Sequence, residues 1–448
     1  MKLLPGLGPV LSIASLGVES VSASQLGQSS LVSERSQQLL SRLNVPWKFA
    51  PGSSARYNPE ANPEGIVSFS TAENPLVHQE LANFANQVEL TPAAFTYGFA
   101  GSQRLLRAIA GHIEETFHPA THVNETNVQI FQGVTALHSV LAWALAEPGE
   151  GILVTRPVYG RLELDFGNEN DVKVVYTDNE VHEAMELGIV ENMERALLKS
   201  QEQGTKIKAV LIVNPSNPLG RYYPRETIVE IMKFCQRRRL HLISDEVYAL
   251  TDFESLEGES ENLPHFTSAL AIDTDGLIDP NLVHVEYGTS KDFSAAGLRL
   301  GILITRNAEL RRAAAALARF HEPSAPSVAI TTAMFEDREW CRSFLEFSRA
   351  TIATAYRAAT SRLRELNIPY LEANSGFFVY IDLSNWLPPP NTTDHQTLGH
   401  RAREFMLAEK LQEGGVFLHP GEEGASEPGR FRMVYTQPER TMDVGLDR

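Results

Sequence analysis

The feature that most constrains the fold is a series of short, β-branched apolar runs alternating with longer helical stretches between residues 128 and 306. The strand candidates are Val128–Phe131, Gly151–Val154, Val172–Tyr176, Ile207–Val213, Leu240–Ser244, Leu282–Tyr287 and Leu300–Thr305. Helical patterns such as Ala136–Ala146 and Arg225–Arg239 lie between them. The strands lack strict polar alternation, as a sheet covered by helices on both faces requires. The expectation is an α/β chain built on one large, mostly parallel sheet.

After about Glu322 the texture changes. Pro323 and Pro326 punctuate the chain, one long helix is expected over roughly 331–366, and short strands follow at Gly376–Leu383 and Arg430–Val434. A last helix is expected to begin near Pro438. The chain therefore divides into a flexible N-terminal extension (1–32), an arm with part of a small domain (33–90), a large α/β domain (91–322) and a C-terminal small α+β domain (323–448). Residues 1–32 are rich in Ser, Gly and Gln, and Pro5, Gly6, Gly8 and Pro9 break their apolar run, so a targeting peptide is the lesser reading.

Composition removes several function classes. A formal net charge of −17 opposes nucleic-acid and anionic-membrane partners, because like charge repels phosphate. No apolar run is long enough for a transmembrane helix. Only Cys235 and Cys341 occur, which gives no disulfide framework and fits a reducing, cytoplasmic compartment. The 13 His residues show no metal-ligand spacing; His112, His118 and His122 are read as surface polar residues, and no metal site is expected.

Five islands carry chemistry, each ending a strand candidate or opening a helix, where ligands of open α/β sheets bind. In Tyr287-Gly288-Thr289-Ser290-Lys291, the lysine can reach an aldehyde across the sheet edge and becomes nucleophilic once desolvation lowers its pKa. Arg299, eight residues on, can donate to a phosphate oxygen. Asp245 in Ser244-Asp245-Glu246-Val247-Tyr248 can hold a cationic ring nitrogen, and Tyr248 can hydrogen-bond a ring hydroxyl. Asn214-Pro215-Ser216-Asn217-Pro218-Leu219-Gly220 demands a specific loop shape. Gly133-Val134-Thr135-Ala136 opens an apolar helix whose first amides can cradle phosphate. Arg430-Phe431-Arg432 places an Arg on a short strand, where it can clamp a carboxylate. Singly, each has an ordinary structural explanation; together, at strand ends and in this order, they point to one site.

With these motifs the sequence resembles the fold-type I, class I/II aminotransferase superfamily of pyridoxal 5'-phosphate enzymes, from about Val67 to Val434. Within it the sequence is most similar to 1-aminocyclopropane-1-carboxylate synthase-like proteins, including fungal C–S lyase relatives. Ala72-Glu73-Asn74-Pro75-Leu76, Tyr97-Gly98-Phe99-Ala100-Gly101 and Glu427-Pro428-Gly429-Arg430-Phe431-Arg432 carry that likeness. The resemblance implies the aspartate aminotransferase type of fold, with the cofactor in the large domain. It implies Lys291 as Schiff-base lysine and proton shuttle, Asp245 at the pyridine nitrogen, and Tyr248 and Asn214 at the phenolic oxygen. Tyr159 would stack on the ring, while Val134, Thr135, Ser290 and Arg299 would hold the phosphate. Tyr97 would reach the neighbouring subunit's phosphate in a homodimer with a shared active site. Arg432 would bind the carboxylate of a small amino acid substrate, and Glu73 would line the cleft.

Two positions depart from the pattern. Gly288 stands where the family usually has a phosphate-binding Ser or Thr, and Gly160-Arg161-Leu162-Glu163-Leu164-Asp165 replaces the synthases' Pro-Gly-Phe-Asp segment. The favoured reaction is C–S bond cleavage by elimination or γ-displacement after removal of the Cα proton, with transamination the runner-up. A pyridoxal 5'-phosphate-binding regulator is disfavoured, because the segment before the first motif is too short and too little basic for a DNA-binding module.

Overall fold

The computed structural model describes residues 31–43, 55–96, 102–253, 263–390, 399–421, 424 and 427–448. Tyr97 lies outside the described residues. In chain order the first elements are α1 (Glu34–Leu43), the two-residue strand β1 (Val67–Ser68), α2 (His78–Ala85) and α3 (Gln103–Phe117).

Next come β2 (Val128–Phe131), α4 (Gly133–Leu145), β3 (Gly151–Thr155), α5 (Leu162–Asn170), β4 (Lys173–Thr177), α6 (Ile189–Glu202), β5 (Ile207–Val213), α7 (Arg225–Arg238), β6 (His241–Asp245), β7 (Val283–Gly288) and β8 (Gly301–Thr305). The seven strands form one sheet in the order β2-β8-β7-β6-β5-β3-β4. Only β8 runs against its neighbours; the other pairings are parallel. The expected alternation is thus realised, with boundaries shifted by a residue or so.

Both faces of the sheet are buried. On β5, Val210 and Ile212 enter a core with α6 and α7, while Ala209, Leu211 and Val213 enter another with Leu137, Val140 and Leu141 of α4. Each Val, Leu or Ile among them contributes about 1.5–3 kcal/mol when withdrawn from water. Because β2, β3, β5, β6 and β7 run in one direction, the segments that follow them all emerge at the same sheet edge.

The remaining elements are α8 (Ala308–His321), α9 (Ala325–Glu336), α10 (Arg338–Glu365), β9 (Tyr370–Leu371), β10 (Phe378–Asp382), α11 (His400–Glu413), β11 (Val416–Phe417), β12 (Arg430–Val434) and α12 (Glu439–Asp447). β10 lies between β9 and β12, antiparallel to both, and β1 pairs with β11. These strands share a third core with Ile352, Tyr356 and Leu363 of α10, whereas Cys341, Phe344 and Leu345 of the same helix belong to the large-sheet core that holds α6 and α7.

Two sequence expectations need correction. The single helix expected over 331–366 is two helices, α9 and α10, divided at Asp337, whose side chain accepts from the Trp340 amide and caps the second. His112 is not a surface residue: it is fully buried, 3.2 Å from the Tyr287 hydroxyl and 3.8 Å from Cys341 Sγ. Among the described residues no helix is long and apolar enough to cross a membrane.

Candidate active site

The phosphate-cradle candidates meet where α4 begins. Gln132 offers α4 no side-chain cap, so the amides of its first turn, including those of Val134 and Thr135, have no partner within the helix. Gly133 has a φ of +80°, and a Cβ there would lie 2.4 Å from an Arg299 guanidinium nitrogen. A Cβ on Gly301 would lie 2.5 Å from the Gly133 carbonyl carbon. Two glycines thus let β8 approach the helix start and bring Arg299 against it. Gly288 belongs to the same crowded corner, since a Cβ there would meet the Leu300 oxygen at 2.8 Å and the Val134 side chain at 3.6 Å. The departure at Gly288 is therefore steric: the backbone is too close for a hydroxyl side chain.

Lys291 follows β7 and is half-buried, its Nζ donating to the Ala72 carbonyl at 2.6 Å. Burial lowers its pKa to about 8; Glu73 and Asp245 oppose that fall, while Arg432 and Arg299 add to it. Glu73, exposed, follows directly on Ala72, the residue whose carbonyl accepts from Lys291. The Tyr248 ring centroid lies 5.3 Å from Nζ, and the ring is wedged edge-on against Phe377 and Phe378. Burial pushes the Tyr248 phenol above its usual range. Ser290 is half-buried beside the lysine.

Asp245 closes β6 and is buried; burial and the nearby Glu286 carboxylate raise its pKa to about 7, against His138, the Val247 amide and Lys291. Arg432 on β12 is buried as well. Its guanidinium donates to Asn217 Oδ1 at 2.9 Å and to the Ser70 carbonyl at 2.8 Å, and lies 5.6 Å from the Phe378 ring centroid. Arg430, two residues earlier, is tied to Glu427 and Asp382, and Glu427 also accepts from the Val181 amide of the large domain.

Asn214 opens the loop after β5 and is buried. Its side chain donates to the Thr267 carbonyl and accepts from the Tyr223 amide, so it fixes the loop. Asn217, three residues later, is the loop's asparagine that meets Arg432, and sequence reasoning did not single it out. Tyr159 is half-buried in the segment after β3, at the same sheet edge.

Sequence reasoning also missed His138 and Glu286, which lie directly behind Asp245. His138 is held between Asp165 and Glu286, and its outer ring nitrogen, Asp245 and Glu286 offer three ligand-type atoms within 4.8 Å of one another. The available signal was a charged residue inside the apolar strand run Val283-His284-Val285-Glu286-Tyr287.

Residues 66–448 match the family described as aminotransferase class I and II. The chain belongs to that family. It is 31% identical over 404 residues to a human 1-aminocyclopropane-1-carboxylate synthase-like protein 1, covering 88% of this chain and 77% of the relative. A probable aminotransferase, tcpI, of Claviceps purpurea is 30% identical over 391 residues, covering 86% and 88%. Among solved structures, a Thermus thermophilus aspartate aminotransferase double mutant superposes with a TM-score of 0.68 at 21% identity, over 94% of this chain and 98% of the other. The fold is accordingly that of aspartate aminotransferase.

Pyridoxal 5'-phosphate is the cofactor of this class I and II aminotransferase fold. The residues present fit it. The α4 amides with Arg299 form an anion cradle that a Cβ on Gly133 would fill, Asp245 is a buried acid suited to a ring nitrogen, and Lys291 has a lowered pKa suited to an aldehyde.

Proposed function

We propose that this class I/II aminotransferase-family protein acts on an α-amino acid whose side chain carries sulfur and breaks a C–S bond in it, by elimination or γ-displacement. The observation that carries this reading is the placement of Glu73, an exposed carboxylate next to Ala72, whose carbonyl accepts from Lys291 Nζ at 2.6 Å. A negative charge there repels the acidic side chain of an aspartate-like substrate and favours a neutral or cationic substituent, such as a thioether or sulfonium. The synthase-like relative supports the same branch.

Bound pyridoxal 5'-phosphate supplies an electron-withdrawing ring that takes up the electron pair left when a bond to Cα breaks. In this reading Arg432 grips the substrate carboxylate, its direction set by Asn217 and Ser70. Lys291 takes the Cα proton at Nζ, because a pKa of about 8 leaves a useful neutral fraction near neutral pH. Asp245 faces the ring nitrogen, Tyr248 and Asn214 border the ring oxygen with Asn217 beside them in the same loop, and Tyr159 covers the ring. Val134, Thr135, Ser290 and Arg299 hold the phosphate. The reading includes a homodimer with Tyr97 at the partner's site; Phe95, two residues before it, is 74% exposed.

Transamination is the second reading, supported by the Claviceps purpurea relative. The two separate when purified holoenzyme is mixed with amino acids and S-conjugates in the absence of any keto acid. Thiol or methylthioadenosine accumulating over many turnovers supports C–S cleavage. One equivalent of keto acid, with the cofactor left as its amine, overturns it in favour of transamination. K291A should abolish either reaction, and retained turnover in that variant would remove Lys291 from its role.

A further inference from the structure

Asp245 and Glu286 are register partners on β6 and β7, so two carboxylates stand side by side inside a buried sheet. His138, on the second turn of α4, packs over that face with both ring nitrogens directed at carboxylates. Nδ1 lies 3.0 Å from Asp165 Oδ2 on α5, and Nε2 lies 3.0 Å from Glu286 Oε2. A neutral imidazole has one N–H and would turn a lone pair toward one of these acids, so the arrangement calls for the doubly protonated ring. Burial works against that charge, but Glu286 and Asp165 outweigh it and hold the imidazole well above its usual range.

The surrounding charges leave the cluster short of positive charge. Asp165, Glu286 and Asp245 surround one imidazolium, and Lys291 is the other cation acting on Asp245. Glu246, the next residue, has its carboxylate engaged by Ser244, Ser268 and the Ala269 amide. Glu286 Oε1 is buried and has no hydrogen-bond partner. A carboxylate oxygen of Glu286, one of Asp245 and a His138 ring nitrogen lie within 4.8 Å of one another, and a proton held by the two acids stabilises so close a buried pair.

We propose that Glu286 and His138 are positioning residues for Asp245: the two carboxylates hold one proton between them, and the His138 imidazolium, fixed by Asp165, keeps that proton available to the cofactor's ring nitrogen. In the transfer a carboxyl O–H bond breaks and an N–H bond forms on the ring nitrogen. Both acids are then ionised between two cations, so the net charge of the pocket is unchanged. The proposal rests on Asp245 facing the ring nitrogen, as in the function proposed above.

The test uses wild-type, E286Q and H138N holoenzymes loaded with ring-15N pyridoxal 5'-phosphate, followed by 15N NMR across pH. E286Q removes a negative charge near the ring, so its nitrogen should bind the proton about tenfold more weakly or worse and titrate at lower pH. H138N removes a positive charge and should shift the titration to higher pH. Shifts of opposite sign are not produced by general structural damage, and the isosteric E286Q decides alone if H138N fails to fold. A second readout needs no cofactor: at pH 6 the infrared carboxylic-acid band of the apoprotein should weaken by one carboxyl group in E286Q. Variants that titrate with wild type, or shift the same way, overturn the relay. A wild-type ring nitrogen without a proton at pH 7 overturns instead the placement of Asp245 on which it rests.

Discussion

Arg432 donates to the Oδ1 of Asn217 at 2.9 Å, joining β12 of the smaller domain to the loop that follows β5 of the large one. The bond ties the loop's second asparagine to the guanidinium. The guanidinium is held on its other side by Ser70, which precedes the segment carrying Glu73. Three parts of the chain far apart in sequence are thereby fixed at one cation.

The two asparagines of that loop should fail in different ways. N214A leaves the Tyr223 amide and the Thr267 carbonyl without their partners, a loss of about 1–3 kcal/mol for each buried group left unpaired. It should lower the melting temperature. N217A should lose less stability, because Arg432 keeps its bond to the Ser70 carbonyl, yet raise KM for the amino acid, since the guanidinium loses its second anchor. Thermal melts paired with steady-state kinetics check the contrast.

R432K keeps the charge and loses the planar fork. The expected result is a rise in KM of about 10²-fold with a smaller change in kcat, because a lysine cannot hold Asn217, Ser70 and a carboxylate in one plane. An amine analogue lacking the carboxylate should bind both forms alike, as isothermal titration would show.

Restoring a hydroxyl at position 288 should not help. In G288S the new Cβ meets the Leu300 carbonyl at 2.8 Å, so β8 must move and stability should fall by about 1–3 kcal/mol. Cofactor affinity should fall with it, because Val134, at the start of α4, and Gly301, at the start of β8, are the next neighbours at 3.6 Å. Urea unfolding and pyridoxal 5'-phosphate binding measure the two effects.

Asp245 should make the apoprotein less stable as pH rises. Its folded pKa of about 7 lies above the unfolded carboxylate value of about 3.9, so between these values the folded state binds more protons than the unfolded one. Unfolding free energy then falls as pH climbs from 4 toward 7. D245N removes that dependence and should be more stable than wild type at pH 8, by on the order of 4 kcal/mol at most, while losing turnover. Melting curves of both apoproteins across pH 4–8 decide it.

The large sheet was legible because its strands are buried on both faces and carry β-branched residues without alternation, a pattern few other architectures tolerate. The break at Asp337 was less legible: the apolar period continues across it, and only the capping bond to Trp340 marks the boundary. Lys291, Asp245 and Arg432 stood out because each is a charged residue at the end or in the middle of a strand run. Asn217 did not, since two asparagines flank prolines in one loop and the loop's own turns decide which meets Arg432. His138 and Glu286 were hidden by their company, for in sequence they read as interruptions of an apolar helix and strand. His112 was misread for the same reason: its partners Tyr287 and Cys341 come from distant elements.

α10 runs unbroken for 28 residues, about 42 Å, with its early turns in one core and its later turns in the other. It acts as a torsion bar between the two halves of the cleft. A ligand that pushed Lys291 and Arg432 apart would load this rod, whose backbone hydrogen bonds run without a break from one core to the other.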